Sequence, residues 1–581
     1  MRWVVKSALR FRYLVVAAAL AMMVLGSFQL QSSRVDVFPE FAPPLVEIQT
    51  IATGLSTADV ESLVTVPLEQ VMNGLPGLED VRSKSVPQLS DIQLVFKKDA
   101  DLFEARQLVQ ERLLSVQNTL PTWAAPPVML PPVSATSRVM QIGMSSKDHS
   151  LIEMSMMAYW TVRARILRVP GVANVAIWGE RLQMMTVQVD PKKLQEQDVT
   201  LDHVMEATAD SVDHGLLRFS SGSVIGTGGS IDTAGGQRVG IQHVLAVVSP
   251  ADLAKVSLAS RKGNLVHIGE VADVKYDHQP LIGDAVIGSG PGLLLVVEKL
   301  PWGNTIDITR GVQEAVDALQ PGLPSITFDT NIFRQANFVE LAVADLTQAL
   351  VLGFLLVVLI LVLFLYEWRV ALVSVAAIPL SLMAALMVLH AVGATINTMT
   401  LAGLVIALGA VVDDAIIDIE NILRRLRQRR LAGDTTSTAT VILNAVLEVR
   451  SPIVYATLII VAAAAPVFVL QGLTGAFFQP LALAYVLAII ASMFVALTVT
   501  PALALILLRN TPVERRHSPV ARWLQLHYTS LLSRIMHRPR RADGVLGLIA
   551  IGGIAIIPHL GSSLFPTFQE RDFLVHWITT P

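Results

Sequence analysis

The chain has 581 residues, of which 52% are hydrophobic and 16% are charged. Soluble domains carry about 25% charged residues, so this composition and the mean hydropathy of +0.56 exclude an ordinary soluble protein. The formal net charge of -3 gives no basic excess for binding nucleic acid, and the absence of cysteine excludes disulfides, thiolate nucleophiles and cysteine-ligated metal sites.

Apolar runs of about bilayer-spanning length recur along the chain and predict about seven transmembrane helices. The loops after the second, fourth and sixth runs are rich in arginine, whereas loops 393–394 and 471–479 contain no lysine or arginine. By the positive-inside rule, the arginine-rich loops and the basic N-terminus are cytoplasmic. The runs lie near residues 13–30, 346–366, 370–392, 396–423, 453–470, 481–508 and 545–560.

This orientation makes residues 1–30 the cytoplasmic N-terminus and first transmembrane helix, and it places residues 31–340 outside the cytoplasmic membrane as one large insertion. Hydrophobic periodicity within this insertion predicts α+β sandwiches of ferredoxin type. The first unit has the order βαββα, with strands 46–52, 81–86 and 92–96 and helices 57–73 and 102–120.

Two further α+β segments follow in the insertion. A second copy comprises strand 139–144, helix 151–167 and strands 173–178 and 184–189, and a third, split piece comprises strand 293–298, helix 306–319 and strand 326–329. Between them, a docking-type insertion covers about residues 195–290. Its glycine-rich stretch 220–237 lacks a phosphate-loop Gly-Lys-Ser/Thr and is interpreted as an extended hairpin arm.

The end of the chain echoes its beginning. Residues 341–510 are predicted to contain transmembrane helices two to six, residues 511–540 an amphipathic cytoplasmic linker, residues 541–560 the seventh helix, and residues 561–581 the start of a second periplasmic region. The sequence after the first apolar run, VFPEF at 37–41, recurs as LFPTF at 564–568 after the seventh. Parallel repeats of six spans are a known transporter plan, so we expect one repeat and an incomplete second.

Two adjacent aspartates, Asp413 and Asp414, lie inside the apolar run 396–423. A carboxylate at bilayer depth costs at least about 2.5–3.5 kcal/mol and normally marks an ion or proton route. On a helix the two side chains point about 100° apart, so they cannot face one partner. Asp418 and Glu420 follow at the cytoplasmic end, where an alternative interpretation has Glu420 simply pairing with Arg424 four residues on.

The acidic residues of this helix fall on two different faces. Both faces begin with small residues, which allow a neighbouring helix to approach closely and seal acidic groups inside a bundle. Positions 402, 406, 409, 413 and 420 fall on or near one face, and positions 403, 407, 414 and 418 fall on another.

Several motifs, in order along the chain, resemble the resistance-nodulation-division (RND) efflux pumps, and within that superfamily they look most like the heavy-metal efflux branch. Asp414 departs from that branch, whose members often have a small residue there, and is similar to the aspartate pair of drug exporters. The motifs are FLYEWR at 364–369, IPLSL at 378–382, residues 397–401, and GAVVDDA at 409–415 followed by Glu420-Asn421.

The resemblance implies an RND transporter in the lipid bilayer of the bacterial inner membrane, assembled as a homotrimer with a periplasmic adaptor protein and an outer-membrane channel. It implies that the proton gradient drives export without a cofactor, with Asp413 as the proton-relay aspartate and Asp414 as a second candidate. In the family, charged residues on spans of the second half complete the relay. We therefore expect either a fragment or truncated product, or a second chain that supplies the missing half.

The resemblance also bears on the substrate. Met399 matches a methionine of the copper and silver members, but Val411 and Ala504 stand where those members have methionine, and Ala407 replaces an aspartate of the cobalt, zinc and cadmium members. His576, four residues after Asp572, occupies the position of a metal-binding methionine. Because histidine and carboxylate suit nickel, cobalt or zinc better than thioether does, we expect a divalent metal.

Two other interpretations remain open at this point. An RND exporter of drugs or other organic compounds would use the same Asp413 with an apolar extramembrane cleft, and a truncated half-pump would be inactive alone. An enzyme is not expected, because the sequence has no catalytic triad order, no paired acids in a soluble cleft and no cofactor fingerprint.

Overall fold

The computed structural model describes residues 1–31, 33–116, 119–121, 124–134, 136–212, 217–220, 223–225, 228–242, 247–259, 265–279, 281, 283–288, 290–365, 367–433, 435–508, 518–537 and 539–559. The chain begins with two helices, and the second is long and apolar enough to cross a membrane. They are α1 (Arg2–Arg10) and α2 (Arg12–Gln31).

The first extramembrane unit is a four-stranded antiparallel sheet covered by helices. Alternating burial in the strands at 45–51 and 89–96 turns Ile48, Ile92 and Leu94 towards the helices, so one face forms the apolar core. Its elements are β1 (Leu45–Ile51), α3 (Thr57–Val60), a π-helical turn at Glu61–Thr65, α4 (Val66–Met72), β2 (Leu78–Val86), β3 (Leu89–Phe96), α5 (Leu102–Val116) and β4 (Val128–Met129), in the spatial order β2-β3-β1-β4.

The next stretch of the chain starts a second sheet and then leaves it. The helical elements α6 and α7 are joined by a π-helical segment at Ala158–Arg163 and present Met154, Val162 and Ile166 to the sheet. The elements are β5 (Arg138–Ser145), α6 (Leu151–Met157), α7 (Ala164–Ile166), β6 (Val172–Trp178) and β7 (Gln183–Val189).

An inserted segment follows, built on a two-stranded antiparallel ribbon of β7 and β14 with its own apolar cluster around Leu253 and Ile268. The predicted arm, residues 220–237, contains the strand at Gly228–Asp232, which forms a hairpin with the strand Arg238–Gln242 just after the arm. The elements are α8 (Pro191–Gln197), α9 (Leu201–Val212), β8 (Leu217–Ser220), β9 (Ser223–Ile225), β10 (Gly228–Asp232), β11 (Arg238–Gln242), α10 (Pro250–Leu253), β12 (Ser257–Ala259), β13 (Leu265–His267), α11 (Ile268–Val271) and β14 (Ala272–His278).

The chain then returns to the second sheet, whose order is β18-β5-β17-β6, all antiparallel. The prediction of a separate third piece is wrong, because β17 and β18 belong to the sheet begun by β5, whereas β7 leaves it. The central strand β17 is buried on both faces from Leu293 to Val297, as a middle strand requires. The elements are β15 (Val286–Ile287), β16 (Gly290–Pro291), β17 (Leu293–Lys299), α12 (Thr305–Leu319) and β18 (Thr327–Arg334).

The remaining described elements are helices. Five of them, with α2, make six candidate membrane spans among the described residues, and the region of the predicted seventh span contains the shorter apolar helix Asp543–Ile556. The amphipathic α18 has no buried residue, in keeping with a surface position. These helices are α13 (Gln335–Leu365), α14 (Trp368–Ala391), α15 (Thr398–Leu431), α16 (Thr438–Ala464), α17 (Gly472–Leu507), α18 (Pro519–His537) and α19 (Pro539–Ile556).

Helix α15 packs most extensively against α17, and a glycine permits that approach. A Cβ atom added to Gly403 would lie 2.4 Å from the backbone oxygen of Leu481, whereas one added to Gly409 would meet nothing within 4 Å. The predicted close approach at small residues therefore holds for the Gly403 face. The Gly409 face of α15 is open in the described part of the chain.

Gly403→Ala should destabilise the helix bundle by about 1–3 kcal/mol, because α17 must shift its backbone to accommodate the new methyl group. Gly409→Ala is the matched control on the same helix and should be neutral or slightly stabilising, since alanine favours helix and finds open space. Thermal unfolding of the purified protein in detergent measures both. Equal midpoints for the two variants would contradict the proposed packing constraint.

Candidate functional site

All four carboxylates of interest lie on α15, whose start is fixed by a capping box. The Asn397 side chain accepts a hydrogen bond from the Thr400 backbone N–H at 3.0 Å, and the Thr400 hydroxyl accepts one from the Asn397 N–H at 2.9 Å. Asp413 follows about 24 Å further along the axis at the helical rise of ~1.5 Å per residue. The aspartates are therefore far from the capped end of the helix and within its apolar length.

Packing divides α15 into the two faces predicted from its sequence. Asp413, Glu420 and Ile406 are exposed on one face. On the other face, Asp418 is fully buried and Asp414 is half-buried. The adjacent aspartates therefore have different surroundings, although they differ by one position in sequence.

A buried ion pair lies on the second face. An Nη2 hydrogen of Arg450, on α16, is donated to Oδ2 of Asp418, and both residues are 0% exposed. Asp414 lies one helical turn before Asp418, and its Oδ2 accepts a hydrogen bond of 3.3 Å from the buried hydroxyl of Ser492 on α17. Two acidic side chains and one guanidinium thus meet where α15, α16 and α17 pack together.

The polar atoms of this cluster are only partly satisfied by protein. Oδ1 of Asp418 and both Nε and Nη1 of Arg450 are buried without a hydrogen-bond partner. Buried polar atoms in native proteins nearly always have partners, often ordered water, so these three atoms are suited to hydrogen-bonding water, and Oδ1 of Asp418 is the one among them that can accept a proton. Chemically, the cluster is a charged, titratable centre inside an otherwise apolar bundle.

The C-terminal part of α15 makes contacts that differ from the sequence-based expectation. Asp418, which the sequence places with Glu420 at the cytoplasmic end, is completely buried. The predicted pairing of Glu420 with Arg424 is absent among the described contacts, since Arg424 donates to Asn421 Oδ1 at 2.6 Å and lies 3.9 Å from Glu448. Arg424 therefore bonds within its own helix, and its neighbour Arg425 donates to Glu448 on α16 at 2.8 Å.

Sequence reasoning missed Arg450 and Ser492. The fifth apolar run is predicted near residues 453–470, after Arg450, whereas α16 begins at Thr438 and includes Arg450 as a buried residue. A usable signal was a cation, Arg450, just before the predicted fifth span, together with the extra aspartate Asp418 in the fourth, because isolated intramembrane charges require partners.

The candidate metal-pathway residues are only partly described. Met399 is buried near the start of α15, and Asp572 and His576 lie outside the described residues. Within the described ranges, no group of three or more histidine and carboxylate side chains is arranged to hold a metal ion.

A second group of acidic residues lies in the extramembrane region. Gln49 Nε2 donates to Glu47 Oε1 at 3.1 Å and to Asp91 Oδ1 at 3.4 Å, across strands β1 and β3. Burial, together with the negative charge of Asp91 and the nearby Glu298 of β17, raises the pKa of Glu47 to about 7. Glu47 can therefore change charge near neutral pH where the two sheets approach each other.

The six apolar helices, the buried ion pair inside them and the two large α+β units on one side define a polytopic membrane protein of transporter type. The chain belongs to the AcrB/AcrD/AcrF family, whose model matches residues 4–581. This match and the relatives below confirm the predicted resemblance to RND transporters of the heavy-metal efflux branch.

The chain is 29% identical over 592 residues to protein HelA of Legionella pneumophila, and the alignment covers 100% of this chain and 54% of HelA. It is 27% identical over 594 residues to the cobalt-zinc-cadmium resistance protein CzcA of Cupriavidus metallidurans, with coverages of 100% and 54%. A crystal structure of a heavy metal efflux pump superposes with a TM-score of 0.74 at 25% identity, covering 95% of this chain and 51% of that one. The chain spans about half the length of the proteins it matches.

Arg450→Met should destabilise the bundle by about 3–5 kcal/mol, because it leaves the Asp418 carboxylate buried without its partner. The double variant Asp418→Leu/Arg450→Met should recover most of this loss, since it removes both charges. Arg425→Met, which breaks the exposed ion pair with Glu448, is the control and should have a much smaller effect. Unfolding in detergent compares the variants, and similar losses for Arg450→Met and Arg425→Met would argue against the buried pair.

Glu47 should make stability pH-dependent. Its pKa in the folded protein, about 7, exceeds the ordinary 4.5, so the folded state binds the proton more tightly and stability falls as pH rises between these values. Glu47→Gln should match the wild type near pH ~4.5 and be more stable by about 1 kcal/mol near pH ~8, after allowance for partial solvent screening. Unfolding across this pH range tests it, with Glu79→Gln at an exposed site of β2 as the control. A pH-independent difference would contradict the assignment.

Proposed function

We propose that the chain is the inner-membrane permease of a tripartite efflux pump that exports heavy-metal cations in exchange for protons. The observation that carries the proposal is the set of carboxylates at membrane depth on α15, in a chain similar to proteins named for cation efflux and metal resistance. A carboxylate inside a membrane bundle marks a proton or ion route. Metal is the substrate in this proposal, and no cofactor is needed.

The two sheets support the proposal that residues 31–340 form periplasmic, ferredoxin-like subdomains. Both have four antiparallel strands, in the orders β2-β3-β1-β4 and β18-β5-β17-β6, with helices on one face. The β7-β14 ribbon and its cluster fit the proposed docking insertion at about 195–290. We assign residues 341–510 to spans two to six, 511–540 to a cytoplasmic linker, 541–560 to a seventh span and 561–581 to the start of a second periplasmic region.

Asp413 is the proposed proton carrier of the relay, because its carboxylate is exposed on the open face of α15. Protonation removes a negative charge from that face, so the packing of α15 against whatever covers the face changes with proton binding. Asp414 is the second candidate, and its contact with Ser492 would connect the relay to the Asp418–Arg450 pair. The buried pair holds α15 to α16 while the Asp413 face changes its contacts.

In the export cycle, a metal ion would enter a cleft between the extramembrane subdomains, and proton binding at Asp413 would change the access of that cleft. Met399, Asp572 and His576 are the proposed metal-pathway residues, and histidine with carboxylate favours a borderline divalent ion. As in the family, a homotrimer, a periplasmic adaptor and an outer-membrane channel are the proposed partners, with no role for nucleic acid.

Expression of the full reading frame in a pump-deficient Gram-negative host should lower the accumulation of at least one metal among nickel, cobalt, zinc, cadmium, copper and silver. Asp413→Asn should abolish this export without loss of assembly, because the amide cannot carry a proton. Glu420→Gln, on the same exposed face, is the matched control and should retain export.

Metal accumulation and membrane-protein levels are measured together in this experiment. Unchanged accumulation of every metal would contradict metal export. Extrusion of dyes instead of metals would favour the organic-substrate alternative, and intact export by Asp413→Asn would remove Asp413 from the relay.

A further inference from the structure

Residues 33–41, here called the strap, connect α2 to β1 and contact the outer ends of several membrane helices. The hydroxyl of Ser33 lies 2.9 Å from Nδ1 of His390 at the end of α14. Phe38 and Phe41 pack on Phe477 near the start of α17, with ring centroids 6.0 and 5.6 Å apart. The strap is therefore held against the membrane helices along its length.

The strap is hydrogen-bonded most closely to the start of α15. The backbone N–H of Asp36 donates to the Ile396 oxygen at 3.0 Å, and the Ile396 N–H donates to the Arg34 oxygen at 2.9 Å. Thr398, the first residue of α15, donates to the Val37 oxygen from both its backbone N–H, at 3.2 Å, and its hydroxyl, at 2.7 Å. A displacement of the capped end of α15 must therefore move the strap with it.

The Asp36 side chain points the other way, into the second sheet. Lys299 Nζ, at the end of β17, donates to both Asp36 carboxylate oxygens at 3.1 and 2.9 Å and to the Gly303 oxygen at 3.1 Å. The hydroxyl of Thr305, the first residue of α12, donates to the same carboxylate. Lys299 is 0% exposed and Asp36 is 7% exposed, so this ion pair is buried.

We propose that the Asp36–Lys299 pair is the joint that passes movements of α15 to the second sheet, which makes Asp36 and Lys299 positioning residues for export. The inference rests on the function proposed above. In sequence, α15 is joined only to α14 and α16, whereas β18 runs directly into α13. Helix α15 thus lacks the covalent route to the sheet that α13 has, and the strap supplies a non-covalent one.

The chemistry of the joint suits a positioning role better than a role in merely holding the strap and the sheet together. Apolar side chains of similar volume hold buried surfaces together at least as well as a buried ion pair does. The pair instead fixes direction, because both carboxylate oxygens, the ammonium and the Thr305 hydroxyl must keep their hydrogen-bond geometry together. The sheet must therefore follow the strap as one body rather than slide over it.

The test uses pairs of spin labels on introduced cysteines in the full chain, which has no cysteine of its own. One pair, at Lys6 and Gln428, reports on the membrane helices, and the other, at Glu111 and Glu314, reports on the helices of the two sheets. Acidification should change both distances in the wild type. In Asp36→Asn, the first change should remain and the second should disappear, with export reduced by about tenfold.

Two further variants distinguish a loss of coupling from a loss of folding. The apolar double variant Asp36→Leu/Lys299→Met should fold and remain uncoupled, and the charge-swapped Asp36→Lys/Lys299→Asp should recover part of the coupling. Asp307→Asn, which breaks an exposed pair with Arg310 on α12, is the matched control and should keep both changes.

The outcomes separate this inference from the proposed function. Retention of the sheet response in Asp36→Asn, or in the apolar double variant, overturns the joint while leaving proton-driven export intact. Absence of any acid response or metal export in the wild type overturns the proposed function, and the joint with it.

Discussion

The membrane bundle depends on the rule that a charge removed from water must find a partner. Asp418 and Arg450 meet this rule by pairing across α15 and α16, at a point where both are completely buried. Either charge buried without the other would be strongly destabilising, so the pair fixes the relative rotation of the two helices. Close packing at Gly403 then fixes α17 against the same side of α15.

Fixing one side of α15 determines what the other side can do. Asp414 faces the packed side and bonds Ser492, while its neighbour Asp413 is exposed. A group that must gain and lose a proton needs a path to exchange it, and a group that anchors a helix needs constant surroundings. The two adjacent aspartates are therefore suited to different tasks, which explains why Asp413 is the better proton carrier in the proposed relay.

Local patterns predicted the elements of this fold well, and long-range pairing was not predictable. Alternation in β3 and the apolar runs of the spans are visible in sequence, because each reflects contacts on a single face. The addition of β17 to the sheet of β5 joins strands separated by the whole insertion, and no local pattern encodes this pairing. The pairing of Asp418 with Arg450 was not predictable for the same reason, since the two residues lie on different helices.

One buried ion pair lies on α15, and the strap connects the start of the same helix to the other, which gives α15 a mechanical role. Proline interrupts α14 at Pro379, α16 at Pro452 and α17 at Pro480 and Pro501, whereas α15 has no proline over its 34 residues. Kinks occur mainly at such positions, so α15 is better able than α14, α16 or α17 to move as a straight rod. A movement of α15 that follows protonation of Asp413 would then reach the strap without being absorbed by a kink. A flexible contact between the strap and the sheet would not transmit that movement. A buried, multiply hydrogen-bonded joint at Asp36 is what such a rod requires.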